Sequence, residues 1–423
     1  MLESDERLLI LADDLSGAAE AAATLGVPAS VELVTTEQDA VHAVHAVHAV
    51  RAVDLDCRYA PSDVAYRRTA TALTVAPGTT TVLLKIDSLL RGNVEAQLRA
   101  ALDSSRHPVV LAPALPEHGR TVVDDVPLVH GVPLAETRAW HIEDAEAPRR
   151  LRDVCPEPAL HLGLAAVRGG GLTGALAAAT LATCDAETTD DLARVAHAVA
   201  AAGGILVGAS ALARAWPGGR GARDDVSAPG GLRPPRRTPT LTVLGTAAPA
   251  VHRQVEHLDA AYPQTLVELP AADVARWADD PAASAATAVR VASALAAGHD
   301  VTVRLTDSGE PTDPRPLPLL LGGLVAQALA AAGTVDLVAS GGETARATLL
   351  ALGVRHLEVL AEVHPGAVLS RADTAAGMHV VTRPGGQGDD DSLVLARRAL
   401  HGRRAGRATT STDTATDILE KNR

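Results

Sequence analysis

Short apolar runs alternate with longer amphipathic stretches along the first half of the chain. Runs over 7–12, 31–34, 81–86, 109–112 and 205–208 have the length and aliphatic content of buried strands. Stretches over 18–25, 62–75, 94–104 and 190–201 repeat apolar residues at helical spacing. Strands alternating with helices predict a mainly parallel α/β sheet. Between 217 and 240 the pattern fails, because Gly and Pro crowd a segment without apolar periodicity, and this reads as a linker. The alternation then restarts, with strands predicted at 241–244, 301–305, 335–339 and 379–382. Helices are predicted at 250–260, 283–297, 319–332 and 345–352. From 403 the chain turns polar, as a frayed or disordered tail would. The expected organisation is two α/β domains, 1–216 and 241–402, a linker over 217–240 and a tail over 403–423. Each domain carries its own mainly parallel sheet flanked by helices, with the active site in the cleft between them.

Composition narrows the function. The 423 residues exceed one ordinary core, and the hydrophobic 47% is mostly Ala, Val and Leu with no Phe. A net charge of -13 argues against a nucleic-acid partner and requires a locally positive pocket for any anionic substrate. Cys57, Cys155 and Cys184 are odd in number and lack C-x-x-C spacing, which points to a reducing compartment. Residues 2–12 hold four charges, and no run approaches the roughly 20 apolar residues of a membrane span, so a soluble cytoplasmic protein is expected. Only Lys85 and Lys421 are lysines, and only Asn93 and Asn422 are asparagines. The internal pair falls within one nine-residue segment, as if an ammonium and a carboxamide were required there. The triplet repeat carrying His42, His45 and His48 drifts around a helix and has no acidic partner, so no metal site is assigned to it.

Candidate chemistry gathers after predicted strands. Asp13 and Asp14 precede a Ser-Gly helix opening, where one carboxylate could take a hydroxyl proton or simply cap the helix. In the segment from Lys85 to Asn93, Lys85 and Arg91 offer positive charge to a carboxylate. Asp87, Ser88 and Asn93 offer hydrogen bonds to hydroxyls, with Gly92 in the same loop. Arg120 ends a rigid loop that begins at Pro113. Three glycine turns follow strands in the second half: Gly245-Thr246, then Gly341-Gly342-Glu343-Thr344, then Gly385-Gly386 with Gly388. Bare backbone there can approach phosphate. Neither a G-x-x-x-x-G-K-[ST] loop nor an early G-x-G-x-x-G is present, which disfavours a P-loop ATPase and a dinucleotide dehydrogenase.

Taken in order, these segments resemble the four-carbon acid sugar kinase family. Asp13 to Ala18 is similar to its D-D-x-[TS]-G-A motif, Lys85 to Asn93 to its K-x-D-S-T-x-R-G-N, and Pro113 to Arg120 to its P-A-x-P-x-x-G-R. Asp185 to Thr188, Gly245-Thr246 with Gln254, and Gly341 to Thr344 extend the resemblance across most of the chain. The chain departs at Leu89, where the family has Thr, and at Pro384 and Gln387 in the last glycine turn. The resemblance implies a sugar-acid-binding first domain, a nucleotide-binding second domain, and ATP with Mg²⁺ as cofactors. It implies domain closure around the substrates and leaves the metal's protein ligands unnamed and homo-oligomerisation open. Asp14, or failing that Asp13, would then take the proton of the attacking hydroxyl. A non-catalytic metabolite-binding protein of the same fold is the alternative.

Overall fold

Each predicted apolar run forms a strand in the computed structural model, which describes residues 7–39, 50–76, 80–104, 108–140, 143, 145–216, 238–307, 309–386 and 388–402. Most of the linker, the tail, the three histidines of the triplet repeat and Gln387 lie outside the described residues. The first block comprises β1 (Leu8–Ala12), β2 (Ala29–Leu33), β3 (Val50–Asp54), β4 (Thr81–Lys85), β5 (Val109–Ala112), β9 (Leu160–Leu162), β10 (Leu181–Cys184) and β11 (Ile205–Gly208). Its order is β2-β3-β1-β4-β11-β5-β10-β9, parallel throughout. All five residues of β1 are buried, as a central strand covered by helices on both faces requires. A small antiparallel sheet, β6 (Arg120–Val123), β7 (Val126–Val129) and β8 (Val132–Pro133), stands beside this block.

The second block comprises β12 (Thr240–Leu244), β13 (Gln264–Pro270), β14 (Asp300–Thr306), β15 (Asp336–Ser340) and β18 (His379–Arg383). They are parallel in the order β13-β14-β12-β15-β18. Two antiparallel strands, β16 (His356–His364) and β17 (Ala367–Ala372), then continue the ladder into the first block. His356 pairs with Glu32 and Val359 with Ala29, so one 15-stranded sheet spans the chain. This differs from the expectation of two separate sheets, because neither β16 nor β17 stood out as a strand. β16 alternates His and Glu with aliphatics and has no long apolar run.

The expected hinge is therefore crossed by backbone hydrogen bonds, and side chains reinforce them. His356 Nδ1 lies 2.6 Å from Glu32 Oε1. Buried Arg346 reaches Asp54 and the carbonyl of Val34, with Nε 3.3 Å from Asp56. One apolar core runs unbroken from Leu8 and Leu83 to Leu337 and Val380. All three cysteines are free thiols, and among the described residues no helix is long and apolar enough to cross a membrane.

Candidate active site

Strands β3, β1 and β4 lie side by side, with Ala12 in register with Asp54 on one flank and Lys85 on the other. Their carboxyl ends thus bring Asp54, the Asp13-Asp14 pair and Lys85 to one edge, where open α/β sheets hold ligands. Asp14 is extended (φ -146) and its Oδ1 accepts the Gly17 N–H at 2.8 Å, capping helix α1 (Leu15–Ala23). Its side chain keeps 17% exposure against 2% for Asp13, so Asp14 is the more accessible of the two carboxylates.

Both carboxylates are gripped by Arg58. Its Nε and Nη2 donate to Asp13 at 2.7 and 2.8 Å, and Nη1 and Nη2 donate to Asp14 at 2.9 and 3.0 Å. Burial pushes the Asp13 carboxyl up, while Arg58 pulls it back. Burial also acts against the Arg58 charge, but Asp13 and Asp14 outweigh it and hold the guanidinium protonated. Gly17 admits two charged groups at once: a Cβ there would sit 2.7 Å from Asp14 Oδ1 and 2.9 Å from Lys85 Nζ.

Arg58 escaped the sequence reading because β3, the strand it follows, did. Its loop is held by two residues that sequence had assigned to substrate. Asn93 Nδ2 donates to the carbonyls of Cys57 at 2.8 Å and Ala60 at 2.6 Å. Gly92 (φ +81) leaves room for the Arg58 carbonyl, which a Cβ would meet at 2.6 Å. Neither Asn93 nor Gly92 lines the cleft. The carboxamide is needed because its two N–H groups serve two carbonyls, which no acid or aliphatic side chain can do.

Asp87 organises the loop after β4. Its Oδ2 accepts the Leu89 N–H at 3.1 Å, and Arg91 grips it by Nε at 2.8 Å and Nη2 at 2.9 Å. Burial opposes the Asp87 charge, yet hydrogen bonds from Arg91 and the charges of Arg58, Arg91 and Lys85 hold its carboxyl well below the usual range. Arg91, expected to be free for a carboxylate, is thus neutralised by Asp87, which itself lines the cleft. Two cations in the cleft have no carboxylate partner among the described residues. Lys85, only 5% exposed, donates to the Ile86 carbonyl at 2.9 Å, and Arg120 donates to Ser88 Oγ. Burial lowers the Arg120 pKa, and the charges of Asp87 and Glu20 offset that only in part.

The three glycine turns follow β12, β15 and β18, which are neighbours in the sheet. Ser340 Oγ donates to the Gly385 carbonyl at 3.0 Å, tying two turns together. Gly341 (φ +96) ends β15 in a conformation that side-chain-bearing residues avoid. A Cβ on Gly245 would meet Thr344 Oγ1 at 1.8 Å. A Cβ on Gly342 would meet Asp14 Oδ2 at 2.6 Å and Ser16 Oγ at 3.2 Å. The bare start of the helix Gly342–Ala351 therefore rests against the exposed carboxylate of the other block.

One cleft of about 650 Å³ takes in both sides. It is lined by Asp13, Asp14, Lys85, Asp87, Ser88, Arg91 and Arg120, and by Gly245, Thr246, Gly341, Gly342, Glu343, Thr344, Gly385 and Gly386. Gly388 stands apart from it, facing Ser392, with its carbonyl accepting from Gln254 at 2.9 Å. Besides Arg58, sequence reasoning missed Ser16, whose buried hydroxyl has no partner among the described residues, and His118.

A family model for a sugar-binding N-terminal domain matches residues 8–216, and one for a nucleotide-binding C-terminal domain matches 241–393. A D-threonate kinase from Cupriavidus necator is 33% identical, covering 94% of this chain and 99% of that protein. A D-threonate kinase from Salmonella typhimurium is 28% identical, covering 92% and 96%, and one from Bordetella bronchiseptica is 31% identical, covering 78% and 80%. A solved chain from Salmonella typhimurium LT2 superposes with a TM-score of 0.73 at 20% identity, covering 93% and 99%, a likeness of fold. With both domain types present and these relatives matched over most of its length, the chain belongs to the four-carbon acid sugar kinase family and is a kinase.

Proposed function

We propose that this kinase uses ATP to phosphorylate the terminal hydroxyl of a four-carbon sugar acid, D-threonate being the first substrate to test. The names of its relatives supply the acid, and the cleft supplies a place for each part of it. Lys85 and Arg120 hold the carboxylate, since Arg91 is already committed to Asp87. Asp14 accepts a hydrogen bond from the attacking hydroxyl through the oxygen that faces Gly342. Asp14 is held by Arg58, and its main work is orientation. Phosphoryl transfer asks chiefly for positioning and charge neutralisation. Ser16 Oγ and the backbone N–H groups at the start of the helix Gly342–Ala351 donate to the phosphoryl group in transit.

Magnesium would neutralise triphosphate charge. Among the described residues no three acidic, His or Cys side chains converge into a preformed site, so phosphate and water would supply most of its ligands. Asp14 and Glu343 line the side it would occupy, and Asp56 is near. Glu343 is pushed up first by burial and then by the Asp56 and Asp14 charges, a repulsion that a divalent cation offsets.

One observation carries the reading: the carboxylate of Asp14 abuts the side-chain-free Gly342 within a cleft that is also lined by Lys85 and Arg120. ADP release measured with D-threonate, erythronate and their 3-oxo forms tests it. Release matched by phosphorylated acid is expected with at least one. ADP release with none of them, or without phosphorylated acid, overturns the assignment.

A further inference from the structure

The carboxylates that line the main cleft differ in what already holds them. Asp13 and Asp14 are gripped by Arg58, Asp87 by Arg91, and Asp56 lies 3.3 Å from Arg346. Glu343 belongs to the helix that opens at Gly342, on the other side. Glu20 is the one carboxylate that the first block brings to the cleft without an ion pair among the described residues. Its Oε1 accepts from Ser210 Oγ at 3.0 Å. A neutral donor thus fixes one oxygen, and the other has no hydrogen-bond partner among the described residues.

Its position is as specific as its charge state. Glu20 follows Ser16 by four residues on α1, so the two share a face and stand about 6 Å apart along the axis. Ser210 is 4% exposed and opens the helix Ser210–Arg214 just after β11, where Gly208 pairs with Lys85. The Glu20 charge also acts on Arg120. The acid proposed above has its reacting hydroxyl at Asp14 and Ser16 and its carboxylate at Lys85 and Arg120. Glu20 stands a helical turn away from the first pair and within electrostatic reach of Arg120 in the second, which places it beside the carbon next to the carboxylate. A carboxylate accepts a hydrogen bond from a hydroxyl there and gains nothing from a methylene.

We infer that Glu20, set by Ser210, is a specificity residue that accepts a hydrogen bond from the 2-hydroxyl of the sugar acid and so selects 2-hydroxy acids over their 2-deoxy counterparts. The inference rests on the sugar-acid reading above. A site built around a substrate hydroxyl disfavours an analogue without it, because the half-buried acceptor is then left unpaired.

Specificity constants measured by ADP release on the full chain test it. Each acid of the panel above that is turned over is compared with its 2-deoxy counterpart (3,4-dihydroxybutanoate for threonate) and, for threonate and erythronate, with the 3-deoxy acid, 2,4-dihydroxybutanoate. Wild type should prefer the parent to the 2-deoxy acid by roughly tenfold or more, and Glu20→Ala should shrink that ratio to within about threefold. The preference over the 3-deoxy acid should survive in the same variant. Glu20→Gln, which still accepts, should keep part of the 2-hydroxyl preference. Each ratio is taken on one preparation, so any misfolded fraction cancels. A wild-type chain indifferent to the 2-hydroxyl overturns the inference. So does Glu20→Ala slowing parent and 2-deoxy acid equally, since Glu20 would then act only through Arg120. A wild-type chain that phosphorylates no acid of the panel instead refutes the sugar-acid reading itself.

Discussion

Replacing Asn93 separates two roles that the sequence alone could not. If Asn93 reads substrate hydroxyls, truncation weakens sugar-acid binding and leaves the fold alone. In the structure it ties down the Arg58 loop by donating to Cys57 and Ala60 at 2.8 and 2.6 Å. Each such bond contributes roughly 0.5–1.5 kcal/mol net, so Asn93→Ala should cost about 1–3 kcal/mol at this half-buried position. For a unit the size of the matched 8–216 domain, 2 kcal/mol corresponds to roughly 4–8 °C in Tm. Asn93→Asp keeps the shape but turns a carboxylate toward carbonyl oxygens, and should cost more at neutral pH than Ala does. It should recover stability in acid, where a protonated carboxyl can donate again. Because Arg58 orients Asp14, kcat should fall while KM for the sugar acid changes by less than about threefold. Thermal melts and steady-state kinetics on both variants check this. Unchanged Tm with a tenfold rise in sugar-acid KM would refute the positioning argument and restore Asn93 to the substrate site.

Gly342→Val puts a Cβ 2.6 Å from Asp14 Oδ2, and a displacement of that scale should lower kcat by roughly a hundredfold. Near-normal turnover would show that the two sides do not meet during catalysis. Lys85→Ala removes a charge-assisted contact of about 1.5–3 kcal/mol, a rise of roughly 10–150-fold in sugar-acid KM with ADP affinity unchanged, read by kinetics and calorimetry. Arg91→Ala should act differently, lowering the urea midpoint because Asp87 would be left buried and unpaired; an equal midpoint contradicts the neutralised pair. Burial raises the Asp54 carboxyl from 3.8 to about 6, with Arg346 pulling it back. The folded state then holds that proton more tightly than the unfolded chain, so this group's contribution to stability declines as pH rises from about 4 to about 6 and then levels. Asp54→Asn should flatten that decline in urea midpoints, and an unaltered slope argues against Asp54 as its source.

Strands and helices packed by their own periodicity were legible: nine predicted strands form, and the glycine turns fall at strand ends. What escaped depends on partners far along the chain. Arg58 and Asp13 are 45 residues apart, and no local pattern says that one will grip the other. The rarity of Asn93 marked it as needed, but its three-dimensional employer, a loop more than 30 residues earlier, was invisible. Arg91 is a different case. Its i,i+4 spacing from Asp87 was in plain sight, and the ion pair follows from it. β16 and β17 were missed because their stability comes from a shared ladder, which stabilises a strand that alternates charged and aliphatic residues.

That ladder also explains how the two sides of the cleft meet. Three antiparallel pairings separate β15 from β1, so by hydrogen-bond direction the two parallel blocks run oppositely. In a flat sheet, Gly341 after β15 and Asp13 after β1 would leave by opposite edges and share no site. Sheets twist by roughly 20–25° per strand, and six steps from β15 to β1 accumulate about 120–150°. That rotation turns two opposed carboxyl edges most of the way toward each other. Register shifts between Val359 and Ala361 and between Glu362 and His364 fall within this span, and bulges increase twist locally. Helix α1 packs across β2, β3 and β16 and against the helix Gly342–Ala351, closing the remaining distance. The contact between Asp14 and Gly342 is therefore a product of sheet twist, and the two least regular strands, β16 and β17, are what let a pair of parallel blocks share one reaction centre.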